Sequence, residues 1–74
     1  MNWSSKTIED TKIALISYSY FQRDGKIYFK NYNGKYGYIY NEDFLKNNIT
    51  IVIDNKKIKY KSIEDLLIDK WVLD

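Results

Sequence analysis

Lysine and tyrosine alternate with apolar residues along two neighbouring stretches of the chain, and this spacing has clear chemical meaning. In the stretch from Lys26 to Tyr32, Ile27 and Phe29 occupy alternate positions, with lysines and tyrosines mostly between them. Because successive side chains of a strand point to opposite faces, the polar set should share one face. A second stretch, from Lys35 to Tyr40, repeats the pattern. The predicted face carries Lys26, Tyr28, Lys30, Tyr32, Tyr36, Tyr38 and Tyr40.

Aromatic rings between cations suit three kinds of contact. Single-stranded nucleic acid stacks its bases on such rings and places its phosphates beside lysines. A protein partner uses tyrosine as an anchor at the centre of an interface. The third interpretation is internal, since tyrosines also form cross-strand pairs that only stabilise a sheet. The candidate contact residues are Tyr28, Tyr36, Tyr38, Lys26, Lys30, Lys57, Lys59 and Lys61.

Several catalytic residue types are missing. The chain has no histidine and no cysteine, and these supply the commonest general base and covalent nucleophile. The same absences exclude disulfides and leave no zinc ligand set. No glycine-rich phosphate loop is present, since the three glycines lie in or beside turn signals. We therefore expect neither an enzyme nor a bound metal or cofactor.

Three pairs of adjacent carboxylates remain, Glu9-Asp10, Glu42-Asp43 and Glu64-Asp65. Each pair lies at or near a predicted helix start, where acidic side chains complement the helix dipole. We interpret them as structural.

Length and composition predict one domain over residues 1–74. A chain of this size buries roughly 60% of its unfolded surface, and its 45% hydrophobic content, with eight tyrosines, can complete a small core. No apolar run approaches the ~20 residues that cross a bilayer. Residues 1–11 contain no segment of signal-peptide type. We expect a cytoplasmic protein without membrane contact.

The N-terminal part predicts a helix that runs into a strand. Thr7 can cap a helix near residues 7–16, with Glu9 and Asp10 in its first turn. Alternating strand formers then indicate a strand at 18–22. A strand that begins at Lys12 is the alternative interpretation.

Turn signals divide the rest of the chain. Asp24-Gly25 and Asn33-Gly34 predict tight hairpins, and Asp54-Asn55-Lys56 predicts a third turn. The segment between Asn41 and Asn48 should be a short helical turn or loop. The predicted strands are 26–32, 35–40, 49–53 and 57–61, the last with Ile58 and Tyr60 facing inward.

A closing helix is predicted from Ile63 to about Lys70, with Ser62 as its cap. The fold class is therefore α+β: an antiparallel, meander-like sheet of four or five strands with an N-terminal and a C-terminal helix packed on it. We expect Trp3 to fold back over the sheet and Trp71 to close the core.

Two segments resemble known families. The segment Gly34–Ile39 is similar to the core of the bacterial WG repeat, with Tyr36 in place of its tryptophan; it occurs once, and a hairpin alone accounts for it. The segments Glu64–Leu67 and Asp69–Val72 resemble the ending of short phage proteins that sequester Thoeris signalling nucleotides. That resemblance implies a nucleotide sponge, although the N-terminal pattern of that family is missing.

The chain as a whole resembles the small accessory proteins of phages and mobile elements. Like them it is rich in lysine, asparagine, isoleucine and tyrosine. The resemblance implies an anti-defence inhibitor, similar to anti-CRISPR proteins, that blocks a bacterial protein in the host cytoplasm. The expected target is a nucleic-acid-handling defence effector. A single-stranded nucleic-acid binder is the alternative and a small-nucleotide sponge the third. An exposed edge strand would also allow a homodimer.

Overall fold

A computed structural model describes all 74 residues and contains one five-stranded antiparallel sheet with three helices. The expected α+β class is confirmed, with helices that precede and follow the meander. In chain order the elements are α1 (Ser5–Ile16), β1 (Lys26–Asn31), β2 (Tyr36–Tyr40), α2 (Asn41–Leu45), β3 (Ile49–Ile53), β4 (Lys56–Tyr60), α3 (Ile63–Ile68) and β5 (Trp71–Leu73).

The strand order is β4-β3-β2-β1-β5. The first four strands form a meander, and the chain then returns through α3 so that β5 pairs with β1. The closing helix was predicted to reach about Lys70, but in the structure α3 ends at Ile68 and a short fifth strand follows. This strand depends on pairing between Asn31 and Trp71, which are far apart in sequence and carry no local signal of their contact.

Both turns form where the turn residues predict them, but of the two only Asn33-Gly34 joins two strands. Asp24 and Gly25 have φ angles of 56° and 72°, and Arg23 and Lys26 exchange two backbone hydrogen bonds of 3.0 Å around them. Gly34, with a φ of 92°, closes the β1–β2 hairpin. Glycine adopts such left-handed angles without the steric cost that a side chain brings.

Helix α1 starts earlier than predicted. Ser4, not Thr7, is its N-cap, and the Ser4 hydroxyl accepts a hydrogen bond from the Thr7 backbone N–H. Glu9 and Asp10 consequently lie beyond the first turn, so the dipole explanation for this pair is wrong. The alternative of a strand from Lys12 is also wrong.

The predicted strand at 18–22 does not exist, because α1 ends in a tight left-handed cap. Tyr18 has a φ of 54°, and the Ser19 N–H donates to the Ala14 carbonyl at 2.9 Å. This bond and the one from the Tyr18 N–H to Leu15 form the Schellman pattern. Tyrosine is unusual at a position that glycine normally fills, so composition favours a strand instead.

The helices cover one face of the sheet. The core between them is apolar and includes Leu15, Ile27, Phe29, Ile39, Phe44, Ile49, Ile51, Leu66 and Trp71. Trp71 is buried, as predicted. None of the three helices has the length and apolar character needed to cross a bilayer.

Candidate binding surface

The predicted lysine–tyrosine face is the side of the sheet that the helices leave uncovered, here called the open face. The register of β1 and β2 places each polar side chain of one strand opposite a tyrosine or lysine of the other. The directly facing pairs are Lys26 with Tyr40, Tyr28 with Tyr38, and Lys30 with Tyr36.

Strands β3 and β4 extend this face. Tyr38 pairs with Val52, and Val52 in turn pairs with Lys57. Lys59 lies opposite Thr50 on the same side. The two lysine groups of the sequence are therefore brought to one face but remain separate, since three inter-strand steps of about 4.8 Å put β1 and β4 roughly 14 Å apart.

The open face consequently has a tyrosine-rich centre with lysines at both sides. Tyr38 and the buried Val52 occupy the middle strands, whereas Lys57 and Lys59 are exposed along the outer strand β4. Lys61 lies just beyond β4 and is exposed as well. Protein interfaces have a similar arrangement, with aromatic residues at the centre and charged residues at the rim.

The central rings pack against each other. The Tyr28 and Tyr38 rings lie 6.1 Å apart, and Tyr38 meets Tyr40 edge-to-face at 5.3 Å. Interaction with the Tyr40 side chain, followed by burial, raises the pKa of Tyr38. The internal interpretation of Tyr28 and Tyr38 as cross-strand packing therefore describes part of their role. The packing also fixes the rings in place before any partner arrives.

Cations of the chain itself cover several ring faces. Lys26 Nζ lies 4.7 Å from the centroid of Tyr38, and the Arg23 guanidinium lies 5.4 Å from that of Tyr28. Lys30 Nζ lies 5.4 Å from the ring of Trp3, which has folded back over the sheet as predicted. A base that stacked on these rings would have to displace the cations.

Tyr36 differs from the other tyrosines of the face. It is 66% exposed and has no ring within aromatic contact. It is therefore the open-face ring most available to a partner. Ile58, predicted to face inward, lies on the helical side but is 41% exposed, because β4 is an edge strand with no further strand beside it.

The strands and the helices differ in the charged residues that they carry. The five strands contain five lysines and no acidic residue, whereas all three helices contain acidic residues. The ion pairs are Lys6–Asp10 within α1 and Lys12–Glu64 between α1 and α3. None of the open-face cations forms an ion pair, so their charge is available to an anionic partner.

A shallow depression of about 370 Å³ lies at one end of the open face. Its lining combines strand residues with polar side chains from α2 and the segment that follows it: Tyr40, Asp43, Asn48, Thr50, Val52, Lys57 and Lys59. No group of three or more acidic residues is placed to hold a metal ion. The depression is lined by both hydrogen-bonding and charged side chains.

Sequence reasoning missed several members of the face. Arg23 precedes the predicted strand, and only the Arg23–Lys26 bridge brings it over Tyr28. Thr50 and Val52 of β3 were not among the predicted contact residues, although they alternate with Ile49, Ile51 and Ile53. Their alternation with those isoleucines was the available signal; the contact of Trp3 with Lys30 had none.

No protein-family model matches the chain, and no curated protein or solved structure is significantly similar to it.

Proposed function

We propose that this is a non-catalytic binding protein that holds a partner protein on the open face. The observation that supports this most is the layout of that face, a pre-packed tyrosine centre with unpaired lysines along its sides. Aromatic side chains that are already fixed lose little conformational freedom on binding. The partner surface should be acidic, since the strands that form the face carry five lysines and no carboxylate.

The class of partner rests on the resemblance in composition to phage and mobile-element accessory proteins. On that basis the partner is a bacterial defence effector that handles nucleic acid, and the protein inhibits it within the host cytoplasm by covering a functional surface. An acidic patch of the effector, rather than its basic nucleic-acid groove, is the part that a lysine-rich face would cover.

Size limits how this inhibitor would work. The molecule measures 29 × 27 × 23 Å, and a standard interface buries about 800 Å² on each partner. An interface of that size would use nearly the whole open face. Inhibition would therefore be a direct steric block of one surface, because a molecule of this size cannot surround its target.

The test is capture of a partner from nuclease-treated bacterial lysate, compared between the wild type and Tyr36→Ala. Tyr36 is exposed and outside the ring contacts, so the variant should keep the fold while losing an anchor. Loss of a tyrosine anchor costs on the order of 2 kcal/mol, or roughly thirtyfold in affinity. Ile68→Ala is the control, because Ile68 is 74% exposed but lies on α3 in the helical layer.

A stoichiometric partner that Tyr36→Ala loses and Ile68→Ala retains would support the proposal. Equal capture by the wild type and Tyr36→Ala would count against the open face, and a purified partner that keeps full activity with the protein bound would count against inhibition.

Single-stranded nucleic acid is the second candidate, favoured by the complete lack of acidic residues in the strands. It predicts binding of a labelled oligonucleotide with a log–log salt slope of about −0.7 for each phosphate contacted. Lys26→Gln and Lys30→Gln should each reduce that slope, whereas Lys46→Gln, outside the face, should not. Absence of binding at low salt would eliminate this candidate.

A further inference from the structure

A second surface lies at the end of the molecule where α1 stops. The segment from Ile13 to Gln22 contains ten consecutive uncharged residues, in a chain in which 30% of the residues are charged. Large apolar side chains protrude there: Ile13, Ile16, Tyr18 and Phe21 are 54%, 55%, 63% and 79% exposed. Scattered apolar residues are normal on a protein surface, but a local concentration of exposed apolar residues is typical of interaction sites.

Contacts with α2 hold this surface together. The Tyr18 and Tyr20 rings pack on Phe44 at centroid distances of 6.2 and 5.5 Å, and the Tyr20 hydroxyl donates to Asn41 at 2.7 Å. Leu45, next to Phe44, adds a further apolar side chain that is 58% exposed. We name Ile13, Ile16, Tyr18, Phe21 and Leu45 the apolar patch.

The backbone beside the patch is also unpaired. The N–H and C=O groups of Tyr20, Phe21 and Gln22 form no hydrogen bond with any other part of the chain. Tyr20 and Phe21 are strand formers that lack a strand partner, and free backbone groups of this kind pair readily with another strand.

We infer that the apolar patch and the unpaired segment 20–22 bind a second copy of this chain, with the two segments pairing as antiparallel strands. A two-fold interface must be complementary to itself. The uncharged segment meets that requirement without like-charge repulsion, whereas the other free edge, β4, carries Lys56, Lys57 and Lys59 and would repel its own copy.

The size of the patch predicts a weak dimer. Aromatic side chains such as Tyr18 and Phe21 bury on the order of 150–250 Å² each when covered completely. With the three smaller aliphatic side chains added, the partly exposed patch supplies several hundred Å² per chain. This is at the lower limit of stable interfaces, which bury at least roughly 1,200 Å² in total. The apolar patch shares no residue with the open face, so the two proposals concern different side chains.

The experiment is sedimentation equilibrium over protein concentrations up to about 1 mM, a range suited to interfaces of this small size. The wild type should shift toward twice its 8.9 kDa chain mass as concentration rises. Phe21→Lys and Leu45→Lys should remain monomeric. Tyr36→Lys is the matched control, since it places the same charge at a comparably exposed ring on the open face and should leave dimerisation unchanged.

Amide hydrogen exchange at Tyr20, Phe21 and Gln22 provides the second measurement. Protection there should increase with concentration in the wild type and in Tyr36→Lys but not in Phe21→Lys. A wild type that stays monomeric throughout, or a dimer that Phe21→Lys retains, would overturn the inference. Dimerisation without added protection at these amides would overturn the paired-strand geometry.

Discussion

The Tyr60 hydroxyl connects the edge strand β4 to the core and to the end of α3. It accepts a hydrogen bond of 3.0 Å from the indole N–H of buried Trp71 and donates one to the Asp69 carboxylate. Burial, followed by the bond to Asp69, raises the pKa of Tyr60 to about 12. The neutral phenol is therefore the form that the folded protein favours.

This pKa predicts a loss of stability in alkali. An unfolded tyrosine titrates near 10, so the stabilisation is complete below about pH 10 and is lost as the pH rises through about 12. Tyr60→Phe should reduce the fall in unfolding free energy across this range, measured by urea denaturation at several pH values. Some decline should remain, because burial and Tyr18 also raise the pKa of Tyr20.

Near neutral pH the same variant should be less stable by about 1–3 kcal/mol, because the Trp71 N–H loses its acceptor. A pH dependence identical to that of the wild type would show that Tyr60 does not contribute to the alkaline loss.

Gly37 sets the spacing between the two central strands. A Cβ atom at this position would lie 2.9 Å from the backbone oxygen of Val52 and 3.0 Å from Ile51 Cγ1. The obstructing atom belongs to the backbone of β3, so it cannot rotate away as a side chain could.

Gly37→Ala should therefore destabilise the fold by about 1–3 kcal/mol, the usual cost of overpacking, as measured by thermal or urea unfolding. The adjacent Tyr36→Ala, on the exposed side, should change stability by less than about 0.5 kcal/mol. Equal stability of Gly37→Ala and the wild type would mean that β2 and β3 can separate at little cost.

At the scale of elements, all three helices end at a residue in the left-handed conformation. These residues are Tyr18 after α1, Asn47 after α2 and Lys70 after α3, with φ angles of 54°, 60° and 72°. Asparagine tolerates this conformation, whereas tyrosine and lysine do so at a cost of roughly 1–2 kcal/mol. The Lys70 carbonyl receives hydrogen bonds from Tyr32 N–H and Trp3 Nε1–H, which explains how the strained position is maintained.

Lys70→Gly should stabilise the protein by about 0.5–1 kcal/mol. Glycine removes the left-handed strain, and its greater freedom in the unfolded chain offsets only part of that gain. The hydrogen bonds to the carbonyl persist because they involve only the backbone. Lys56→Gly, within β4, is the control and should destabilise by about 0.5–1 kcal/mol, so urea midpoints of the two variants should move in opposite directions.

The elements predicted correctly from the sequence are those that depend on nearby residues, namely turn residues and the alternation of side chains along a strand. Asp24-Gly25 and Asn33-Gly34 form the expected tight turns, the second of them within the β1–β2 hairpin, and alternation in β1 and β2 assigned their faces correctly. The errors occurred where an element depends on distant or atypical contacts. Tyrosine is not a residue type that indicates a left-handed helix end, so the end of α1 at Tyr18 was not predicted. Strand β5 exists only because it pairs with β1.

The same limit applies to the candidate site. Period-two spacing identified which side chains share the open face, but not that β2 and β3 lie between the two lysine groups. That order creates a tyrosine centre with lysines at its sides. It follows from the path of the whole chain, and no single segment encodes it.

At the scale of the whole molecule, the charged residues of the strands are all basic, whereas the acidic residues lie in the helices, in the connecting segments and at the C-terminus. Lysine pairs with an acid only within the helical layer, at Lys6–Asp10 and Lys12–Glu64. The proposed partner surface is thus basic and the proposed dimer surface uncharged. The two should be distinguishable by their response to salt, because screening weakens only the contacts that depend on charge.

Raising sodium chloride from about 0.1 M to about 1 M shortens the Debye length from about 10 Å to about 3 Å. Binding on the open face, measured by titration calorimetry, should weaken at least tenfold, and the Lys57→Gln, Lys59→Gln double variant should lose much of this dependence. The dimer constant from sedimentation should change less than twofold, since burial of Phe21 and Leu45 involves no ion. Salt-independent partner binding would count against a basic contact surface, and a dimer that dissociates in salt would place its interface among the lysines rather than at the apolar patch.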